Sequence, residues 1–590
     1  MFGWSGRSLE ISLSDKSSKF FDSPLLHEYI GGRGLGVRLF VDRTSPSVDP
    51  LSPECPLIFA FGPLNGTIAP TSGRFCAVSK SPLTNTIFDS SCGGQLASKG
   101  KGCGIDAVIL EERSDAPTIL KIGEKGVTFD DAEAIWGHDI EQTAQYLKEK
   151  YGKGTESLII GPAGENGVLF STISTSDLRA FGRGGLGAVM GSKNIKAVVF
   201  EGKRRTEVHD SEQLKFVCKQ ARKLIEANPI TSKGLKVFGT AILMNIINGM
   251  GIFPNYNYQH SHSDKASLVS GETITTAMFE RRRACQSCYI ACDRITNYNG
   301  IISRGPEYES IWALGPDCGI FDLGSIALSN YLCNKLGMDT ISCGSTIACA
   351  MEMGQTGAFD SGLKFGQNDL SEVIGSIAYR RGIGNELANG SKRLSEKYGA
   401  PDLSMQVKGL EMPAYDPRGA QGMGLAYAVS NRGACHLGSY ILSSEILGIP
   451  KLLDRDLTKE KVSLEVVLEN LNAAVDCLAL CRFTGFALSE EYYSRMLSAV
   501  TGVEYTENEF ISIGEKIWNI ERIFNNRAGF TKEDDRLPKR LLEEPVREGP
   551  AKGKVCRLDE MLPLYYKARG WDDEGAPMDH KIRELGIENV

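Results

Sequence analysis

Arg283-Ala284-Cys285-Gln286-Ser287-Cys288-Tyr289-Ile290-Ala291-Cys292-Asp293 carries three thiols in a C-x2-C-x3-C spacing. On a tight turn expected to run into a helix, this spacing gathers the sulfurs on one small concave surface. Soft thiolate ligands suit an iron–sulfur cluster or zinc. A fourth ligand is required, and the candidate lies far downstream in Asp476-Cys477-Leu478-Ala479-Leu480-Cys481. The middle and the end of the chain would then have to meet at the metal. A structural zinc knuckle would use the same four thiols. Zinc ligands usually come as paired hairpins, whereas a lone distant fourth cysteine is commoner in cluster proteins.

At 590 residues and 64.2 kDa the chain is too long for one compact core, and about three domains are expected. Its 42% hydrophobic and 24% charged residues are those of an ordinary globular protein. A balance of 66 basic against 73 acidic residues, net −7, argues against nucleic acid as the main partner. Sixteen cysteines and no apolar signal core after Met1 point to a reducing, cytoplasmic compartment. No window reads as long enough for a membrane span.

Up to about residue 205 short β-type runs recur at 9–13, 56–61, 74–79, 107–110, 157–160 and 196–200, punctuated by turn residues. Glycine-dense segments lie between them: Gly31-Gly32-Arg33-Gly34-Leu35-Gly36, Gly93-Gly94, and Gly182-Arg183-Gly184-Gly185-Leu186-Gly187. Such glycines let backbone amides approach a bulky anionic ligand. The last matches G-x-G-x-x-G, but follows no convincing strand and lacks an acidic residue for a ribose, so a dinucleotide fingerprint is weak. From Ser211 the pattern turns helical, with helices expected at 211–227, 325–336, 342–353, 370–379, 384–398, 464–480, 490–500 and 507–524. The Pro- and Gly-rich passage Lys408–Gly424 reads as a seam between domains. The tail after Arg536 reads as an extended arm over a neighbour. The fold class is therefore α+β: a β-rich domain over 1–208, then mostly helical domains over 209–410 and 411–590.

Two predicted helix ends share a shape. Asn334-Lys335-Leu336-Gly337-Met338-Asp339 and Asp476-Cys477-Leu478-Ala479-Leu480-Cys481 each run polar residue, two residues, small, apolar, then Asp or Cys. Such loops could present two similar surfaces to a ligand that is itself two-fold symmetric.

Several further stretches carry a resemblance: Ile30–Gly36, Pro70–Arg74, Gly182–Lys193, Gly305–Glu309, Pro413–Gly419 and Asn431–His436. Jointly they make the chain resemble the tungsten-dependent aldehyde:ferredoxin oxidoreductases nearly end to end. The resemblance implies a tungsten, with molybdenum as the alternative metal, between the dithiolenes of two pterins. It makes the paired loops pterin-binding motifs, Asn334, Met338 and Asp339 serving one pterin and Asp476, Leu480 and Cys481 the other. It puts Arg74, Ser91, Gly93, Arg179, Ala180 and Gly182 where the family holds the pterin phosphates and a bridging Mg2+. Cys285, Cys288, Cys292 and Cys481 match its [4Fe-4S] ligands, and Glu309, or Glu307 before it, with His436 match the residues flanking the metal. A carboxylate and an imidazole are the right pair for the protons that accompany two-electron oxidation.

The implied activity is oxidation of an aldehyde to a carboxylic acid, with ferredoxin or an iron–sulfur subunit as electron acceptor. No Glu-x-x-His stands near residues 325–335, so a homodimer or hetero-oligomer without the family's bridging metal is expected. Gly438 stands where the family can have a basic residue. Cys318, Cys333 and Cys349 read as core residues, and His260 and His262 as a solvated loop. The competing readings are the catalytic subunit of a class II benzoyl-CoA reductase, working reductively, and a non-catalytic protein stabilised by structural zinc.

Overall fold

A computed structural model describes residues 1–23 and 25–590. The six strands expected before residue 205 all form. They are joined by less regular partners, among them Ile87–Cys92 and Thr118–Gly123, to make two six-stranded sheets. In the first, the buried strand Leu57–Ala60 lies between Phe75–Lys80 and Ala107–Glu111; in the second, Glu156–Ile159 pairs antiparallel with Ile195–Phe200. Each of these strands runs out into a Gly-Pro step, Gly62-Pro63 and Gly161-Pro162. Any side chain at Gly62 would collide with the Leu478 carbonyl, and at Gly161 with the Leu336 carbonyl. Each sheet thus carries one of the two paired loops against its end, and glycine is the only residue that allows the approach.

The glycine run at residues 31–36 opens the helix Gly32–Val41 and does not form a ligand loop. Its glycines let the helix lie directly on the carbonyls of Asp476 and Cys477. Apolar periodicity is diluted there by small residues, which is why the sequence reads as loop.

Most expected helices form within a few residues, and Ser211–Ala227 has the expected bounds. The 384–398 run breaks into Gly384–Leu387 and Ser391–Lys397, because Gly390 between them is left-handed at φ +85°. The Lys408–Gly424 passage threads the interior: Tyr415, Asp416 and Arg418 are buried, and the helix Gln421–Val429 begins within it. The tail folds back on its own chain through Lys539–Glu543, Leu562–Arg569 and Asp579–Leu585, and is not an extended arm. Its Leu541, Tyr565 and Trp571 join the largest apolar core, because aromatic anchors spaced along a charged stretch suffice to dock it. Contrary to the sequence expectation, Ile230–Gly249 is long and apolar enough to span a membrane, with mean hydropathy 1.2. It is a chain of short helical pieces interrupted at Gly239, with Leu235, Ala241, Met244 and Ile247 buried in the protein.

The cysteine stretch departs most clearly. The thiols sit on a loop between the strands Phe279–Arg283 and Asp293–Tyr298, and no helix follows. Asp293–Tyr298 is drawn into a three-stranded sheet by the hairpin to Ile301–Arg304, closed by Asn299-Gly300 with both residues at positive φ. Left-handed Ser287 and Ala291 wind the loop back on itself.

Candidate active site

Both paired loops keep the same backbone shape. Leu323–Leu336 ends at left-handed Gly337, φ +82°, and Val462–Cys477 is followed by left-handed Ala479, φ +60°. Asp339 then caps the helix Thr340–Thr356, its side chain accepting from the Ile341 amide, and Cys481 leads into the turn Arg482–Phe486. The first loop is held to the second sheet through Thr172 N to Gly337 O at 2.9 Å and Asp339 N to Phe170 O at 3.0 Å.

Between the loops lies a cavity of about 330 Å3. Its wall contains Arg74, Ser91, Ala180, Gly182, Asn334, Met338, Asp339, Asp476, Cys481, Glu309 and His436. Those segments lie far apart in the chain, and folding brings them to one place. Gly93 stands against Cys285, and a methyl group there would reach to 3.0 Å from the Sγ. Arg179 pairs with Asp293 at 3.1 Å beside the cysteine loop. The Leu480 side chain is buried in the apolar core, so only its backbone could meet a ligand. Glu307 is outside the cavity wall, accepting from Thr240 Oγ1 at 2.6 Å at the start of the helix Tyr308–Leu314. One helical step aims Glu309 inward and Glu307 away. Larger grooves, of about 820 and 810 Å3, lie elsewhere and include none of these side chains.

Three arginines that sequence reasoning did not single out complete the wall: Arg183, Arg432 and Arg482. Arg183 binds Asp339 at 2.9 Å, and Arg432 donates to the Asp89 carbonyl at 2.5 Å and to Cys435 Sγ at 3.0 Å. Arg482 pairs with Asp476, which also meets Arg33 at 3.5 Å. Arg183 and Arg432 lie within quoted motifs and Arg482 follows one, but only tertiary contact turns them toward the cavity. Burial alone would raise the Cys435 thiol pKa; Arg432 and Arg482 outweigh burial and lower it.

Glu309 and His436 face each other across the cavity, Oε1 to Nε2 at 3.9 Å, too far for a hydrogen bond. Burial lifts the Glu309 carboxyl to about 7, and burial together with Arg183, Arg432 and Arg482 holds His436 down to about 3. Glu309 Oε2 accepts from the Ala414 amide at 2.9 Å. That segment is clamped in turn: Tyr308 Oη donates to Ala414 O at 2.9 Å, and Tyr258 Oη donates to Pro413 O. Tyr258 belongs to three consecutive left-handed residues, Tyr256, Asn257 and Tyr258, with φ +51° to +63°. Each tyrosine there costs roughly 1–2 kcal/mol. The buried bonds of Asn257 to Asp317, Glu352 and Leu403 offset this cost.

The residues present fit a large anionic cofactor. Arg74 Nε, Arg482 Nη1, His436 Nδ1 and Glu309 Oε1 are buried without hydrogen-bond partners, all in this wall. Native proteins rarely leave such groups orphaned unless they serve a ligand. The four thiols gather beside it. Thr71 links both halves, its amide donating to Ser287 O at 2.9 Å and its Oγ1 accepting from the Cys481 amide at 3.2 Å. Burial and then the charge of Cys481 lift the Cys288 thiol to about 11. Among the described residues no three Cys, His, Asp or Glu side chains are set closely enough to hold a single metal ion. Cys318 is not in the wall; its Sγ donates to Ala313 O at 3.4 Å in the core, where Cys333 and Cys349 also lie.

The model of the aldehyde ferredoxin oxidoreductase N-terminal domain matches residues 8–202, and that of its domains 2 and 3 matches 216–587. The chain belongs to the aldehyde ferredoxin oxidoreductase family and is an oxidoreductase of that kind. It is 44% identical to a tungsten-containing aldehyde ferredoxin oxidoreductase of Pyrococcus abyssi over 100% of both chains. To the protein of that name from Pyrococcus furiosus it is 43% identical, over 100% of this chain and 99% of the other. An aliphatic sulfonate oxidoreductase, WOR-like subunit, of Pyrococcus furiosus is 28% identical over 100% and 97%. Among solved structures, the active-site complex BamBC of benzoyl coenzyme A reductase with 1,5-dienoyl-CoA superposes with a TM-score of 0.86, covering 100% of this chain and 98% of that one. At 21% identity that likeness shows the fold alone.

Proposed function

We propose that the protein oxidises aldehydes to carboxylic acids, with electrons leaving through the four-cysteine cage to ferredoxin or an iron–sulfur partner subunit. The observation that carries this reading is the convergence of two like loops on one cavity, with the last residue of one loop, Cys481, standing among the cysteines. A tungsten-bis-pterin group, or its molybdenum counterpart, would be held by Asn334, Met338, Asp339, Asp476, Leu480 and Cys481 and would supply the two-electron redox chemistry. Arg74, Ser91, Gly93, Arg179, Ala180 and Gly182 would together serve its phosphates and a bridging Mg2+. Cys285, Cys288, Cys292 and Cys481 would hold a [4Fe-4S] cluster.

Making an acid from an aldehyde adds one water oxygen and releases two protons with two electrons. Glu309 Oε1, free of protein partners and with a carboxyl near 7, accepts one of these protons. His436 stays neutral and hydrogen-bonds the substrate oxygen without adding charge. Tyr258, Tyr308 and the Ala414 amide keep Glu309 from rotating away. Sixteen free cysteines suit a reducing, cytoplasmic setting.

Metal analysis of anaerobically purified protein, coupled to aldehyde-dependent viologen reduction, tests the reading. About one tungsten and four irons per chain are expected. Zinc without tungsten, or turnover of an aromatic CoA thioester but no aldehyde, would overturn it.

A further inference from the structure

The surface around the cysteine loop is rich in basic side chains. Residues 211–238 and 279–283 carry nine basic side chains against three carboxylates, in a chain whose net charge is −7. Both segments adjoin the loop. Phe279–Arg283 leads straight into Cys285 and is the edge strand of its sheet. Arg222 of the helix Ser211–Ala227 lies 4.6 Å over Tyr289, between Cys288 and Cys292. Lys233 and Lys236 flank Leu235, whose carbonyl accepts from Arg294 at 3.3 Å, while the same guanidinium donates to Cys292 O at 2.8 Å. Lys215 is paired with Glu212, Arg222 with Glu226 and Arg283 with Asp177. Among the described residues Lys219, Lys223, Lys233, Arg281 and Arg282 have no carboxylate within ion-pair distance, and all but Lys236 and Arg283 of the basic set are exposed. Large apolar side chains stand open among these charges: Phe216 at 54%, Val237 at 41% and Phe279 at 37% exposure.

We propose that this face is the docking surface for an acidic iron–sulfur electron carrier; the proposal rests on the functional reading above and places its partner. Electrons must leave where the cysteines come nearest to solvent, and Ala284, in the loop itself, is exposed. Redox encounters use small interfaces, typically under ~1,200 Å2, and rely on charge for rate and orientation. A basic rim around exposed aromatic and aliphatic side chains supplies both elements. The unpaired edge of Phe279–Arg283 adds backbone groups for a partner's chain. On a net acidic protein such a local field steers an acidic carrier to this face and away from the others.

The test uses the anaerobic holoenzyme and a recombinant acidic ferredoxin immobilised for surface plasmon resonance. One variant combines Arg281→Glu and Arg282→Glu, a second Lys219→Glu and Lys223→Glu, and a control combines Lys125→Glu and Lys203→Glu in a separate groove against the second sheet. Each docking variant is expected to weaken binding at least ~10-fold at low salt, within the range that steering by surface charge commands. High salt should erase the difference, and the control should bind like the wild type. Aldehyde-dependent viologen reduction, which needs no docking, should stay within twofold in all variants. Equal binding by wild type and both docking variants, or an equal loss in the control, would overturn the proposal, as would a wild type that does not bind. A wild type that binds in this pattern but reduces no viologen with any aldehyde would sink the functional reading and leave the docking surface standing.

Discussion

The two paired loops, 334–339 and 476–481, have nearly the same backbone and opposite duties. Both leave a helix, pass a left-handed residue and end at a residue that starts the next turn. In the first, that residue is Asp339, whose carboxylate is fully engaged by the Ile341 amide, Ser342 and Arg183. In the second, it is Cys481, whose amide is tied to Thr71 and whose thiol is left to the cysteine cage. A symmetric cradle is thereby made asymmetric at one position. One side is anchored by its carboxylate, and the other ends in a thiol beside the cysteine loop.

The largest test of that difference is Cys481→Ser against Asp339→Asn. Cys481→Ser should cost iron, measured by elemental analysis, and at least the ~10–100-fold in activity that losing even an outer partner costs a metal site. Asp339→Asn should leave the iron content unchanged. If both variants keep their iron, the asymmetry is illusory.

Glu309 belongs to neither loop and should be indifferent to which is altered. Glu309→Gln is expected to lower kcat by ~10²–10⁴-fold, with iron and tungsten retained. Because its carboxyl sits near 7 and must be ionised to accept a proton, wild-type kcat should rise with pH through about 7. A flat profile there would remove Glu309 as the proton acceptor.

Asp339→Ala should cost more than the cap it provides, about 1 kcal/mol, because Arg183, only 15% exposed, would lose the carboxylate it pairs with. Arg33, behind the second loop, also has Glu521 and Asp89, at 2.6 and 3.5 Å. Thermal unfolding should therefore fall further for Asp339→Ala than for Glu521→Gln, which leaves Arg33 two carboxylates.

The smallest effect has opposite signs at matching positions. Gly337→Ala forces a side chain into a left-handed site 3.1 Å from Gly161 N and should destabilise by about 1–2 kcal/mol. Ala479→Gly relieves the same conformation and should stabilise by a few tenths to ~1 kcal/mol. Denaturant midpoints with unchanged slopes would measure both; like signs would mean that the two loops are held differently.

Much of this site was legible in the chain. The C-x2-C-x3-C spacing, the duplicated loop pattern and the distant cysteine were local features, and folding brings these segments to one cavity and its neighbouring loop. The arginines were not legible. Arg183, Arg432 and Arg482 look like any charged residue in a loop until the opposite wall arrives. The helix Gly32–Val41 was hidden because small residues chosen for close approach to Asp476 erase the apolar period. The strand after Cys292 was announced by Asn299-Gly300, a turn whose two left-handed residues favour a hairpin. Charge excess in the tail masked Leu541, Tyr565 and Trp571, which anchor it inside the core.

By itself the sequence determined which chemical groups exist and at what spacing: three thiols and a fourth, two matching loops, a carboxylate and an imidazole. Spacing along a chain constrains neighbours a few residues apart, and these signals are of that range. Only the tertiary structure decided that Glu309 faces His436 while Glu307 turns away, and that guanidinium groups from three segments line one wall. It also decided that basic side chains from two segments frame the cysteine loop. Those outcomes depend on burial and on charges brought together across hundreds of residues, where desolvation and packing, not local pattern, set the energy.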